Sequence, residues 1–569
     1  MAGAGPARSL GMTVGLSARA LVVGLLVVTA AIYASGLDGA FVIDDRTFFV
    51  ENDDLTRLGL GDALTVFARP TNAWGDWQPI RDLAFVVEHR AFGRGTIGYH
   101  VVSLALYWIA CGLAFLLVRR LQGRNDESPG SRAAHWGAAA IATGIFAAHP
   151  VHVEAVAYVC GQKELLFAVF TLASVSMFDR VFDEPGRRAG WLAGAVACYG
   201  LALLSKQTAI VLLLLVPLLW ALADRRRRPR ATPSALFWAA VNVPAAIWML
   251  RSREAFQTLW RTNSEVTATP LLERIPLALK VLGAHARLAV WPHPLSFGYP
   301  FDGSPSPDAN LAAGILALAL LGLAAWGYRR DRAVLFGVAT FLVFLVPVLQ
   351  LHGSLNNASI YDRYLFLPVL GVALLAERVA RSVLRERLGS VRAWAGAGTA
   401  LVLLGAVLTA RYVPAFEDDV AVTRNSYERF PGWSRAPFEL AYSLVEAGRT
   451  AEARTLVARE PSLDSPPWVR PYLEGWATLV ERRPAEALTA LRTAAFLAEA
   501  GGYYPFPDIP LGRALAEVGL LDEAEGVLRR ALSSPIYQPL EAFHARELLE
   551  EIRRRRAGHA LGEQQSLPR

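Results

Sequence analysis

The sequence predicts an all-α protein with two parts, a polytopic membrane bundle of about eleven transmembrane helices and a C-terminal helical solenoid. Three observations predict this fold class. Hydrophobic residues make up 53% of the 569 residues and charged residues only 19%. Apolar runs of roughly 17–20 residues, the length that a helix needs to cross a bilayer, recur along most of the chain. The C-terminal third instead carries polar segments rich in Ala and Glu.

The basic residues indicate a membrane protein rather than a nucleic-acid partner, although the net charge is +7. The arginines cluster in short runs between apolar segments, which is the positive-inside pattern of cytoplasmic loops. Basic stripes interleaved with aromatic residues, which a nucleic-acid surface needs, do not occur in the sequence. Three cysteines, all in or beside apolar segments, predict neither a disulfide framework nor a zinc site. The arginine runs are Arg119–Arg120, Arg187–Arg188, Arg225–Arg228, Arg329–Arg330 and the region Arg385–Arg387.

Eleven segments are apolar enough to predict transmembrane helices, and the first is predicted to be a retained signal anchor. A further segment, residues 275–291, carries three ionisable groups, which disfavour a span at bilayer depth. We expect it to lie in the outer interface as an amphipathic or re-entrant helix. With a cytoplasmic N-terminus, every arginine run then lies inside, whereas the 37–99 loop and all residues after 411 lie outside. The predicted spans are 20–37, 101–118, 133–148, 160–178, 189–205, 208–223, 233–250, 309–328, 333–351, 364–377 and 393–410.

A repeat in the C-terminal third predicts the solenoid. Ala453, Ala487 and Ala524 occupy the same position in three similar segments and are 34 and 37 residues apart. A period near 34 residues, with a small residue where the two helices of a unit meet, is the tetratricopeptide signature, and three units suffice for a stable solenoid. The repeats are residues 440–460, 474–494 and 511–531; the domains are a membrane domain at 1–411, a repeat domain at 412–556 with a capping helix at Leu549–Arg556, and a disordered tail at 557–569.

Two adjacent carboxylates, Asp44 and Asp45, form the first candidate site. Acidic residues in a long outer loop are usually just solvated, and that is the alternative interpretation. Here the pair follows the first helix directly in the run AFVIDD, so the helix sets its height above the membrane. The same loop contains an aromatic-rich stretch, residues 74–93, that predicts a packed helix. Because neighbouring carboxylates disfavour each other's ionisation, one can rise in pKa and serve as a general base.

The second candidate site is AAHPVHVEAVAYVCGQKELL, residues 147–166, at the predicted outer ends of the third and fourth helices. His149, His152 and Glu154 cluster where the chain turns back, and Lys163 begins the next span. A His-x-x-His pair can ligate a metal, but no third ligand follows at a usual spacing, so polar anchoring at the interface is favoured over a metal site. Ionisable groups near membrane depth also suggest phosphate binding or orientation of a carboxylate. Other polar residues expected at the same outer mouth are Lys206, Lys280, His285, Arg287, His293, Arg363 and Tyr364.

Six motifs occur in order along nearly the whole chain and precede the repeats. They are DD after the first helix, QPIRDLAFVVEHRAFG, HPVHVEAVAYVCGQKELL, LLSKQTAIVL, HPLSFGYP and DRYLFLP. This series resembles the transmembrane-and-tetratricopeptide O-mannosyltransferase family, including its bacterial relatives. The resemblance implies a GT-C glycosyltransferase fold, with an active site facing away from the cytoplasm. It also implies a donor sugar, typically mannose, on a polyprenyl phosphate, and repeats that bind an acceptor polypeptide.

The resemblance implies roles for individual residues as well. Asp44 would be the general base that deprotonates an acceptor hydroxyl, with Asp45 in support, giving inversion at the anomeric carbon. No metal is predicted as a requirement, although some GT-C relatives use a divalent ion. The donor phosphate would be bound by Lys206, Arg363, Arg287 and Lys280, and the pocket would be shaped by His149, His152, Glu154, Arg81, Lys163, His293 and Tyr364.

Three positions depart from the family's pattern and leave the donor sugar open. Gln207 stands where relatives commonly have Glu, Ser103 where they often have Asn, and Gln162 where Arg is frequent. Two other classes of function remain as alternatives, a membrane-anchored scaffold and a transporter of lipid-linked sugar. A scaffold needs only one anchoring helix, and a transporter should have midplane polar groups and related halves, so a glycosyltransferase is favoured. The Arg- and Ala-rich composition favours a bacterial inner membrane over the endoplasmic reticulum.

Overall fold

The computed structural model is helical, and the residues that it describes contain no β-strand. The chain divides into two compact units, an N-terminal unit that ends at Asp418 and a C-terminal unit that begins at Asp419. The predicted boundary between residues 411 and 412 lies seven residues before this division. The described residues are 18–71, 77–122, 129–222, 242–251, 271–301, 304, 306–329, 331–349, 360–501, 507–533 and 544–556.

The main elements of the N-terminal unit are long helices. Its main helices are α1 (Ala18–Tyr33), α2 (Pro79–Phe92), α3 (Thr96–Gln122), α4 (Pro129–Ala147), α5 (Gln162–Asp183), α6 (Arg188–Ser205), α7 (Leu212–Leu222), α8 (Leu271–Val290), α9 (Ala309–Gly327), α10 (Arg332–Leu345), α11 (Phe366–Ala380) and α12 (Val391–Tyr412). A further helical stretch covers 242–251. Short turns at Pro150–His152, Val153–Val156 and Val159–Gly161 connect α4 to α5, and a π-helix, Arg381–Arg387, follows α11.

Polar caps explain where several of these helices begin. The side chain of Asp308 accepts a hydrogen bond from the Leu311 N–H at the start of α9 (2.8 Å). Ser390 does the same for α12, and Asp331 for α10. A cap of this kind satisfies an N–H group that has no partner inside the helix, so these residues define the helix starts.

Four helices of the described chain are long and apolar enough to cross a bilayer, and a fifth span results if one bent pair is counted. The pair is His135–Ala147 with Pro150–Val156, bent by 53°. The protein is therefore an integral membrane protein, as the sequence predicts. The predicted span at 233–250 lies largely outside the described residues, and the count of eleven stays a prediction. The four helices are Thr96–Gln122, Pro185–Ser205, Ala309–Gly327 and Val391–Phe416.

The helices alternate in direction, so several of the predicted cytoplasmic arginine runs meet at one end of the N-terminal unit. Arg120, near the end of α3, donates to Asp179, near the end of α5 (2.5 Å). Gln122 donates to Glu377 of α11 (3.1 Å). We call this region the arginine end: the last turns of α3, α5 and α11 with the π-helix, and the first turns of α4, α6, α10 and α12.

The segment that the sequence predicts to lie in the interface forms α8, which packs along α9. A Cβ on Gly283 would lie 1.9 Å from a backbone oxygen of α9, and Gly314 makes the reciprocal approach. Lys280 is fully buried in this contact. Its ammonium donates to the Ser304 carbonyl (2.7 Å) and pairs with Asp308 (3.1 Å). Lys280 therefore binds the start of α9.

The C-terminal unit consists of α13 (Asp419–Arg429), α14 (Arg435–Glu446), α15 (Thr450–Arg459), α16 (Val469–Val480), α17 (Pro484–Ala500), α18 (Asp508–Glu517) and α19 (Leu521–Ser533). A final helix at 544–556 buries Leu549 and Ile552 in the same apolar cluster as α18 and α19. The predicted tail, residues 557–569, lies outside the described residues.

Small residues control how closely the helices of each repeat pack. Ala453, Ala487 and Ala524, the residues that carry the sequence period, are all fully buried. Opposite them, a Cβ on Gly475 or Gly512 would lie 2.7 Å from a leucine side chain of the paired helix. The repeated sequence template therefore corresponds to three repeated helix pairs, α14–α15, α16–α17 and α18–α19.

Candidate active site

Asp45 anchors the start of the first outer loop. Its carboxylate is fully buried. One oxygen accepts a hydrogen bond from the Val42 N–H (3.0 Å), and the other accepts one from the Cys160 N–H (2.6 Å). Burial raises the pKa of Asp45 well above its usual range; the two bonds oppose this shift and the charge of Asp44 adds to it. Because both of its oxygens accept hydrogen bonds, Asp45 links this loop to the turn before α5.

Asp44 differs from its neighbour, since its side chain is only half-buried. Its carboxylate makes no hydrogen bond or ion pair with any residue that the structure describes. The preceding residue, Ile43, has a φ of 49°, a left-handed conformation that costs a β-branched residue roughly 1–3 kcal/mol. The hydrogen bond from the Val42 N–H to the Asp45 carboxylate spans this strained residue and holds the backbone in place. The result is a fixed carboxylate that is free to bind a ligand.

A buried glutamate in the turn between α4 and α5 binds an arginine from a distant part of the chain. Glu154 is fully buried and accepts hydrogen bonds from the backbone N–H (2.8 Å) and the guanidinium of Arg363. That guanidinium also lies 3.7 Å from the ring centroid of Tyr361 and 5.6 Å from that of Phe297. Cation–π contacts and a carboxylate together hold Arg363 in one orientation.

A second buried ion pair lies next to the first. Glu164, in the first turn of α5, accepts a hydrogen bond from the ammonium of Lys206, which follows α6. This ammonium lies 5.2 Å from the ring centroid of Tyr364. A small pocket is lined by these three residues and by Arg363. The structure therefore brings together the two cations, Lys206 and Arg363, that the sequence proposes as phosphate ligands.

Two more predicted pocket residues, Arg81 and Lys163, flank one aromatic ring. The Arg81 guanidinium lies 5.4 Å and the Lys163 ammonium 5.8 Å from the centroid of Phe48. Arg81 is buried and pairs with Asp82 (2.6 Å). The Lys163 ammonium instead contacts the Cys160 sulfur (3.8 Å) and has no carboxylate within ion-pair distance among the described residues. Lys163 therefore has no ion-pair partner among the residues that the structure describes.

The remaining predicted residues lie elsewhere. His152 is in the core, with its ring nitrogens 2.9 Å from the Tyr107 hydroxyl and 3.2 Å from the Phe366 carbonyl. His149 is buried 3.1 Å from the Ala289 carbonyl. Both imidazoles thus hold elements of the fold together and do not line the pocket. Lys280, Arg287 and His293 do not line it either; Lys280 is bound to the start of α9, and the other two are exposed.

Residues 85–351 match Glycosyltransferase family 87. Protein O-mannosyl-transferase Tmtc1 of Drosophila melanogaster is 32% identical over 190 residues, which are 32% of this chain and 21% of that protein. Protein O-mannosyl-transferase Tmtc2 of the same organism is 28% identical over 328 residues, 53% of this chain and 33% of that protein. These matches confirm the resemblance to the O-mannosyltransferases that the motifs carry.

The chain matches only a fifth to a third of the length of these relatives. Among solved structures, ArnT from Cupriavidus metallidurans bound to undecaprenyl phosphate is similar over 90% of this chain and 80% of that chain, at 16% identity and a TM-score of 0.38. Of the residues of the candidate site, Glu154, Lys163 and Lys206 lie inside the segment that matches family 87. Asp44 and Arg363 lie outside it.

The sequence analysis missed three residues of the candidate site. Tyr158 is fully buried, its hydroxyl has no hydrogen-bond partner in the described chain, and the charges of Asp44 and Arg363 both act on it. Asp362 is a buried carboxyl that accepts from the Tyr299 hydroxyl (2.6 Å). Glu88 of α2 accepts from Gln162 (3.0 Å), and burial raises its pKa to about 7. The sequence pattern that could have identified Glu88 is an acid that follows a run of apolar residues, as in DLAFVVE.

The described part of the chain has no group of three or more His, Cys, Asp or Glu side chains placed to hold a metal ion. Among the acids of the candidate site, Asp44 has no partner in the described chain, whereas Glu154 and Glu164 pair with basic side chains. Such an arrangement can accept a proton at one point and neutralise an anion at another.

Proposed function

We propose that the protein transfers a sugar, mannose, from a polyprenyl-phosphate donor to a hydroxyl group of a protein acceptor, with inversion at the anomeric carbon. The observation that carries this proposal is the free carboxylate of Asp44 near a pocket that contains Lys206 and Arg363. Tyr158 connects the two, since it interacts with both Asp44 and Arg363. The identity of the sugar and of the acceptor rests on the names of the O-mannosyl-transferase relatives.

In this proposal Asp44 is the general base. It takes the proton of the acceptor hydroxyl while the hydroxyl oxygen forms a bond to the anomeric carbon. The bond from that carbon to the phosphate oxygen breaks, and its electron pair leaves with the polyprenyl phosphate. A positioned base of this kind contributes roughly 10²–10⁴ to a rate. The half-exposed position of Asp44 supports the role, because an acceptor can reach it, whereas Asp45 is sealed by two backbone donors.

The leaving phosphate gains negative charge as the bond breaks, so fixed cations lower the barrier. Lys206 and Arg363 are each paired with a buried glutamate, so these two pairs are neutral overall. Lys163 has no carboxylate partner in the described chain and would supply the net positive charge that binds a phosphodiester of charge −1. The pairs would then orient the phosphate through their N–H groups. This assigns Lys163 to the phosphate together with Lys206 and Arg363.

The remaining parts of the proposal concern the whole chain. The bundle would contain eleven spans, with the site and the C-terminal unit on the extracytoplasmic face of a bacterial inner membrane. The three helix pairs would be tetratricopeptide repeats that hold the acceptor polypeptide. A phosphate leaving group is already activated, so positioning, one base and charge neutralisation are enough, and no resident metal is required.

The test is transfer by purified protein in nanodiscs, with radiolabelled polyprenyl-phosphate-mannose and a membrane-protein extract as acceptor. We expect Asp44→Asn to abolish transfer of label to protein and to leave donor binding intact. The matched control is Asp62→Asn, which alters an exposed aspartate of the same loop whose side chain makes no capping bond. Full transfer by Asp44→Asn would exclude Asp44 as the general base. Transport of the donor without transfer, or protein binding without donor binding, would favour a transporter or a scaffold.

A further inference from the structure

Three arginines at the arginine end lie on tryptophan rings and have no carboxylate within ion-pair distance in the described chain. Each joins two neighbouring helices, because the arginine ends one helix or its π-helical extension and the tryptophan begins the next. The carboxylate of Glu184, which lies in the same loop as one pair, is engaged by the indole N–H of Trp191 (2.9 Å). The distances from guanidinium carbon to ring centroid are 4.7 Å for Arg119 and Trp136, 4.7 Å for Arg180 and Trp191, and 5.3 Å for Arg385 and Trp394.

Neighbouring arginines of the same region are neutralised within the protein. These pairs are Arg120 with Asp179 (2.5 Å), Arg378 with Asp331 (2.6 Å) and Arg381 with Glu377 (3.4 Å). The three tryptophan-bound arginines thus leave an excess positive charge, and all three are partly buried. A partly desolvated cation without a counter-ion is costly, so its counter-ion is expected to come from outside the chain.

Exposed apolar side chains lie close in the chain to two of these arginines. They are Leu116 near Arg119, and Val379, Val383, Leu388 and Val391 near Arg385, with exposed fractions between 40% and 68%. These two arginines therefore lie where an apolar lateral surface meets a polar end. Along α5, Lys163 and Arg180 are separated by about 26 Å at 1.5 Å per residue, close to the roughly 30 Å thickness of the bilayer hydrocarbon. That spacing puts the arginines at headgroup depth, in the leaflet opposite the candidate active site.

We propose that Arg119, Arg180 and Arg385 bind the phosphates of anionic glycerophospholipids, whose acyl chains cover the exposed apolar residues. A guanidinium held flat on an indole keeps its outer N–H groups available for phosphate oxygens. The three arginines are distributed over different helix pairs, so they suit separate headgroups around the bundle. A single polyprenyl phosphate instead needs cations that converge on one pocket, as Lys206 and Arg363 do at the other end.

The experiment is native mass spectrometry of the full chain in a neutral detergent, titrated with equal amounts of phosphatidylglycerol and phosphatidylcholine. Wild type should retain several phosphatidylglycerol molecules in preference to phosphatidylcholine. One arginine near a membrane surface is worth about five-fold in affinity, so in the triple variant R119Q/R180Q/R385Q the preference at each of the three sites should fall by about five-fold. The readout is independent of sugar transfer, so the result does not depend on the proposed function.

Two further variants identify the cause of any loss. The triple Arg→Lys variant keeps the charges and should keep most of the preference for phosphatidylglycerol. R69Q/R94Q/R287Q removes the same charge from exposed arginines outside the arginine end and should behave as wild type. Thermal unfolding in phosphatidylcholine nanodiscs checks that the first triple variant is folded. An unchanged lipid preference in the folded R119Q/R180Q/R385Q variant, or an equal loss in the control triple, would overturn the proposal.

Discussion

Replacing Asp45 with Asn should destabilise the protein, whereas the same change at Asp44 should not. The Asp45 carboxylate accepts two buried backbone hydrogen bonds, from Val42 (3.0 Å) and Cys160 (2.6 Å). Asparagine has one oxygen, so it can accept only one of them, and its amide N–H₂ must face the other N–H. The argument holds for either protonation state of Asp45, because the hydroxyl oxygen of a neutral acid still accepts a hydrogen bond.

The magnitude follows from the groups left without partners. One buried backbone N–H loses its acceptor, and the new amide N–H₂ has no acceptor. Each such group costs about 1–3 kcal/mol. Release of the left-handed conformation of Ile43 offsets part of this cost. We therefore expect Asp45→Asn to lower the free energy of unfolding by about 2–4 kcal/mol. Asp44→Asn removes no described hydrogen bond, so its effect on stability should stay within about 0.5 kcal/mol.

The assay is thermal unfolding in nanodiscs, followed by calorimetry, with sugar transfer measured on the same samples below the transition. Asp45→Asn should unfold at a clearly lower temperature than wild type and should be cleaved faster by protease near residues 40–45. Asp44→Asn should unfold as wild type does and fail in transfer. The opposite pattern, with a stable but inactive Asp45→Asn and a destabilised Asp44→Asn, would refute the assignment of anchor and base.

Four other expectations can be checked with single substitutions. Burial raises the pKa of Glu88 to about 7 from 4.5, so between these pH values the folded state keeps a proton that the unfolded chain loses. The free energy of unfolding should therefore fall by up to about 3 kcal/mol as the pH rises from about 5 to 7. Glu88→Gln should remove this part of the pH dependence of Tm. Gly283→Ala should destabilise by about 1–3 kcal/mol, because its Cβ would overlap the α9 backbone, whereas Gly322→Ala, with open space around it, should not. Lys163→Met should raise the donor KM by about ten-fold or more, and an unchanged KM would remove Lys163 from the phosphate site. Tyr158→Phe deletes a buried hydroxyl without a described partner, so it should leave Tm unchanged or higher; a lower turnover with that intact fold would show that the hydroxyl meets the substrate.

Patterns that are local in the chain predicted the fold class well. The apolar runs identified helices such as α3 and α9, because burial in a membrane requires about twenty consecutive apolar residues whatever the rest of the chain does. The aromatic stretch at 74–93 contains the helix α2, as expected. The alanine period likewise coincided with three helix pairs. Shorter helices, such as α7 and α10, fall below the length of a clear transmembrane span. The total number of spans therefore could not be established from the apolar runs.

The sequence by itself determined that this is a helical membrane protein that resembles O-mannosyltransferases and has a repeat region in its C-terminal third. It could not distinguish the roles of Asp44 and Asp45, because they are adjacent residues of the same type. They differ only in the folded chain, where Asp45 accepts a hydrogen bond from the Cys160 N–H. It also could not tell that Arg363 and Lys206 are already paired and Lys163 is not. Those distinctions depend on partners such as Glu154, which is 209 residues from Arg363. Burial and charge compensation are properties of the packed chain, so only the tertiary structure decided them.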